Sequence, residues 1–194
     1  MATFKDLTDG TLDLPGITAH LEKLDPETRI REVRELGRKA QAKLFDAAAG
    51  YRKMSLADVV PASVANETEV VHHGKNTLPV FSHFAKVMFR PSAGPSTELW
   101  GYNRNSGLIE GAVGPGYFVT VQHVVPGEIL IDYTRLPPKK LDGWPEILPN
   151  SARLSRFVYN GTQDILRGVS ETVSIGRATK GGKPMDAWFI LCRG

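Results

Sequence analysis

The chain has 194 residues, 41% of them hydrophobic and 23% charged, a composition that excludes long disordered tracts and suits a packed core. Its 24 Lys and Arg are interspersed with 21 Asp and Glu and gather into no basic tract, so no nucleic-acid partner is expected. One cysteine, Cys192, excludes an intrachain disulfide and an all-thiolate metal site; with no apolar run of about 18 residues and no signal-peptide core near the start, the expectation is a cytoplasmic protein without a membrane partner.

Residues 1–16, rich in Thr, Asp and Gly and ending at Pro15-Gly16, read as an extended arm. A short helix is predicted over 17–24. Asp25-Pro26-Glu27 then carries a helix start signal, an N-cap followed by proline in the first turn. Ile30, Val33, Gly37, Ala40, Leu44 and Ala47 recur at spacings of three or four, predicting one helix over 26–49 with a narrow stripe of small apolar residues and a stop at Gly50. Such a stripe suggests a homodimer formed through this helix.

Beyond a weakly patterned stretch, Glu69 to His73 reads as a short strand. His83 to Arg90 and Glu98 to Arg104 form a hairpin around the turn chemistry of Pro91 to Ser96, and Tyr117 to Val124 and Glu128 to Arg135 form another around Pro126-Gly127. Four prolines between Leu136 and Asn150 predict a surface crossing. A third helix is expected over 151–169, its apolar face built from Leu154, Phe157, Val158, Ile165, Leu166 and Val169. The last two strands surround Lys180-Gly181-Gly182-Lys183, a short hairpin signal, and the final one is too apolar to be buried on one face alone.

The fold class expected from this order is α+β: two N-terminal helices, then a curved antiparallel sheet of about six strands, with a third helix before the C-terminal hairpin. The whole chain is expected to be a single domain, with the arm over 1–16, the helical segment over 17–50 and the sheet over 67–194.

Chemistry is assigned by strand parity, because alternate side chains share a face. Tyr117 and His123 share one face of their strand, Tyr133 and Arg135 one face of the next. If the two tyrosines face the same way, they line an otherwise aliphatic concavity. Trp100, Tyr102 and Arg104 add a second candidate grip for a planar or anionic ligand. The candidate ligand-binding residues are therefore Trp100, Tyr102, Arg104, Tyr117, Tyr133 and Arg135.

His83, His123 and Asp132 are candidate acid-base groups. No cofactor is expected: the Gly111 to Gly116 segment lacks the Lys-Ser/Thr of a phosphate loop and leads into a strand. Five histidines without an H-E-x-x-H pattern predict no metal site. The leading functional reading is a small-molecule binder with a largely apolar pocket between sheet and helix. Its alternatives are a small cofactor-independent enzyme and a homo-oligomeric interaction protein.

Overall fold

A computed structural model describes residues 2–78, 82–105, 114–152 and 159–194. Eight strands form a closed antiparallel barrel in which sequence neighbours are spatial neighbours: β1 (Val70–Asn76), β2 (His83–Phe89), β3 (Glu98–Arg104), β4 (Tyr117–Gln122), β5 (Ile129–Asp132), β6 (Thr162–Gly168), β7 (Val173–Lys180) and β8 (Lys183–Arg193). The ring closes where β1 meets β8, with His73 opposite Cys192 and Gly74 opposite Leu191.

This overturns the expected curved six-strand sheet with a third helix. The decisive element is β6, which lies inside the segment read as helix 151–169. Its Thr162, Asp164, Leu166 and Gly168 are buried and alternate with half-buried Gln163, Ile165 and Arg167, the two-residue period of a strand. Gly161, at φ 71°, makes the turn that leads into it. Because β6 pairs with both β5 and β7, it joins two sets of strands that would otherwise leave the sheet open. Leu154, Phe157 and Val158 of the predicted helix lie outside the described residues.

The N-terminal region is also more finely divided than expected. The predicted arm contains α1 (Phe4–Asp9), started by a capping box in which Thr3 and Asp6 satisfy each other's backbone N–H groups; α2 (Leu14–Lys23) follows. Asp25 caps α3 (Pro26–Glu35), its Oδ1 accepting from the Thr28 N–H at 3.0 Å. The predicted helix over 26–49 breaks at Leu36-Gly37, and Gly37 becomes the N-cap of α4 (Arg38–Ala47). Glycine fits the spacing of the stripe but is a poor interior helix residue.

Helices α1 to α4 pack outside β7 and β8, where Ile17, Leu21, Val33 and Leu44 meet Val173, Ile175, Ile190 and Cys192. Val33 and Leu44 of the apolar stripe are thus covered within the chain, while Gly37 and Ala47 are exposed. From Phe189 to Cys192 strand β8 is buried on both faces, with Ile190 and Cys192 under the helices and Phe189 and Leu191 in the lumen. Burial pushes the Cys192 thiol up to about 11, so at neutral pH it is a protonated core group. Among the described residues no helix is long and apolar enough to cross a membrane.

A short helix, α5 (Leu56–Val59), and its flanks close one end of the barrel. Met54 donates its N–H to the Gly127 carbonyl at 2.9 Å, and Arg90 donates to the carbonyls of Val60 and Val64. Strands β1, β3, β5 and β7 start at this α5 end and run to the far end.

The lumen wall carries three cross-strand pairs of one kind: Gly74 opposite Phe84, Gly101 opposite Phe118, and Gly176 opposite Phe189. A Cβ at these glycines would lie 2.7, 2.7 and 2.2 Å from the facing ring. The absence of a side chain therefore lets each ring lie against the wall over the neighbouring strand.

Candidate functional site

Phe84, Lys86 and Met88 alternate along β2, and the cross-strand contacts place all three in the lumen. Lys86 is 2% exposed. Its ammonium donates to Asn103 Oδ1 at 3.0 Å, to Asp164 Oδ2 at 3.1 Å and to the Tyr133 hydroxyl. Four rings surround it, those of Phe84, Phe118, Tyr133 and Phe189, with centroids 4.9 to 5.5 Å from Nζ, within cation-π range.

The set is completed from β3, β6 and the residue that follows β5. Asn103 on β3 donates through Nδ2 to the Tyr133 hydroxyl at 2.9 Å and to the Gly116 carbonyl at 3.1 Å. Tyr133, just beyond β5, and Asp164 on β6 complete it. All three donors of the ammonium are satisfied, which is the condition for tolerating a buried charge.

Burial pulls the Lys86 ammonium below its ordinary value while the Asp164 carboxylate opposes that shift. Burial, reinforced by Asp164 and Tyr159, pushes the Tyr133 phenol well above its ordinary value. Tyr133 is therefore a protonated hydroxyl at neutral pH, able to donate one hydrogen bond and accept others. On the far-end side, Tyr159 stacks on it with centroids 5.1 Å apart.

Of the residues singled out in the sequence, Tyr133 belongs to this set. Tyr117 does not: Val119 pairs with Asp132, so Tyr133 falls opposite Phe118 and the two tyrosines face opposite sides of the wall. Trp100, Tyr102 and Tyr117 instead form an outer aromatic cluster with Phe89 and Trp144. The Pro-rich crossing covers that cluster, and Tyr117 donates its hydroxyl to the Pro145 carbonyl at 2.5 Å.

Arg104 borders the cluster, paired with Glu69 at 2.6 Å, while Glu69 also accepts from Trp144 Nε1 at 2.8 Å. A surface cleft of about 780 Å³ runs past Glu67, Glu69, Arg104, Lys139 and Trp144. Arg135 is held by Glu98 on the outer wall.

The candidate acid-base groups are not brought together. His83 starts β2 at the far end, whereas His123 lies just past β4 at the α5 end. His123 Nδ1 is 3.0 Å from Glu128 Oε2, and Glu128 Oε1 accepts from Arg167 Nε at 2.7 Å. Asp132 Oδ1 is occupied locally, accepting from the Thr134 N–H and hydroxyl at 2.9 and 2.6 Å.

Lys86, Asn103 and Asp164 were not candidates on sequence grounds. The signal that could have found them is parity: in H-F-A-K-V-M-F-R, Lys86 shares a face with Phe84 and Met88, so either the strand is exposed there or the lysine is buried with partners.

Compared with protein-family models, curated proteins and solved structures, the chain matches none.

Proposed function

We propose that this protein binds a small, largely apolar molecule in the half of the lumen toward the far end, with the Lys86, Asn103, Tyr133 and Asp164 set as its polar anchor. A closed barrel of eight strands has an interior that side chains can just fill or that can hold one small ligand. The observation that carries the reading is the buried charged pair itself. Taking an ammonium and a carboxylate out of water costs several kcal/mol per ion, and well-packed apolar groups of similar volume are often as stabilising or more so. A barrel that only had to fold would gain nothing from this arrangement.

The aromatic walls supply apolar contact area, and the polar set supplies fixed donors and acceptors at one depth, the combination that orients a small molecule in a concave site. Tyr159, stacked on Tyr133, is the side chain that a ligand entering from the far end must displace. The seat lies within the barrel, in place of the pocket between sheet and helix expected earlier.

The test is native against denaturing mass spectrometry of the purified protein, followed by titration with the neutral fluorophore N-phenyl-1-naphthylamine. The reading predicts saturable one-to-one binding of the fluorophore that is lost in the double variant Lys86→Met/Asp164→Val. A bare native mass together with no saturable binding would overturn it.

A further inference from the structure

Outside the barrel, α3 lies across β8 and β1. Beside it opens a cleft of about 800 Å³, lined by Lys5 from α1, by Ile30, Arg31 and Arg34 from α3, and by the facing pair Lys75 and His83 from β1 and β2. Glu27 and Glu35 are the carboxylates in its lining. Four permanent cations against two carboxylates leave two positive charges in excess.

Of these cations, Arg31 donates to the Thr28 hydroxyl at 3.3 Å. Among the described residues Lys5, Arg31, Arg34 and Lys75 take part in no ion pair. Arg34 Nε is shielded from solvent and has no hydrogen-bond partner among them. The local field has the matching sign: the His73 imidazole, two residues before Lys75, is held below its ordinary value by burial and then by Arg34 and Arg104.

We propose that this cleft binds a small molecule bearing a phosphate group, the phosphate facing Arg34 and Lys75 and its apolar remainder lying against Ile30. A dianion matches the excess of two charges. A guanidinium fork and a compact ammonium are the two groups that commonly grip phosphate oxygens. The site is on the outer wall and is independent of the ligand seat in the lumen.

Isothermal titration with phenyl phosphate at low ionic strength and again at about 150 mM salt, with benzoate as the singly charged comparison, tests the proposal. Phenyl phosphate is expected to bind one-to-one and more tightly than benzoate. Arg34→Gln and Lys75→Gln should each weaken it by about tenfold or more, and Lys53→Gln, at the α5 end, should leave it unchanged. Urea midpoints confirm that each variant is folded. No saturation by phenyl phosphate, equal binding of benzoate, or equal weakening by Lys53→Gln would overturn the proposal.

Discussion

The two halves of the lumen are built from the same eight strands and hold opposite kinds of interior. Toward the α5 end the filling is mainly apolar, with Val59, Val60, Val70, Leu99, Ile129 and Leu166 in contact and the buried hydroxyl side chains of Thr120 and Ser174 among them. The lone imidazole there, His72, meets the Val59 carbonyl at 3.0 Å. Toward the far end the lumen holds an ammonium, a carboxylate, an amide and a phenol within one hydrogen-bonded set, walled by aromatic rings. Burying the second set carries a desolvation cost that the first half avoids.

The largest expected effect breaks the far half by removing one charge. Lys86→Met leaves Asp164 buried without its cation and should lower stability by about 3–5 kcal/mol, measured by urea unfolding. In the α5 half, Leu99→Ala, at a side chain 1% exposed, should cost about 2–5 kcal/mol by cavity formation. It should leave N-phenyl-1-naphthylamine binding by the folded protein unchanged, which separates the two halves by function.

Next in size is a pH effect confined to the α5 half. Burial holds His72 at about 4, below the ordinary histidine value, so the unfolded chain binds a proton there that the folded protein refuses. The stabilisation is complete above about pH 6.5 and is lost as pH falls toward 4, a change of about 3 kcal/mol. Urea midpoints followed across that window should fall less steeply in His72→Leu than in the wild type.

The smallest effect sharpens the account of the wall. Gly101→Ala places a Cβ 2.4 Å from the Val87 carbonyl oxygen, which is backbone, and should cost about 1–3 kcal/mol. The nearest atoms to a Cβ in Gly74→Ala belong to the Phe84 ring and a Leu191 methyl, side chains that can shift, and the change should cost less in the same thermal or urea assay.

Much of the strand framework was legible because its turns are local. Pro91 to Ser96, Pro126-Gly127 and Gly181-Gly182 mark hairpins that are present between β2 and β3, β4 and β5, and β7 and β8. Closure was not legible, because it depends on pairing Gly74 with Leu191, residues that no local pattern relates. Strand β6 was misread because Ile165, Leu166 and Val169 also fit helical spacing, and its buried positions include polar Thr162 and Asp164, so no apolar alternation marks the strand.

The same limit applied to the polar set. Lys86 was visible as a lysine between two inward apolar residues, but its partners arrive from β3, β6 and the residue after β5. Tyr133 was chosen for its residue type, and its assumed partner Tyr117 lies on the opposite face because Tyr133 falls opposite Phe118.

The claim that the far-half charges are kept for binding rather than stability is tested most directly by urea unfolding of Lys86→Met/Asp164→Val beside the wild type. In that variant the Tyr133 hydroxyl can still donate to Asn103 Oδ1, now 3.3 Å away, and no charge remains unpaired in the set. The account predicts an unchanged m-value and a midpoint equal to or above that of the wild type; a midpoint as low as that of Lys86→Met alone would contradict it.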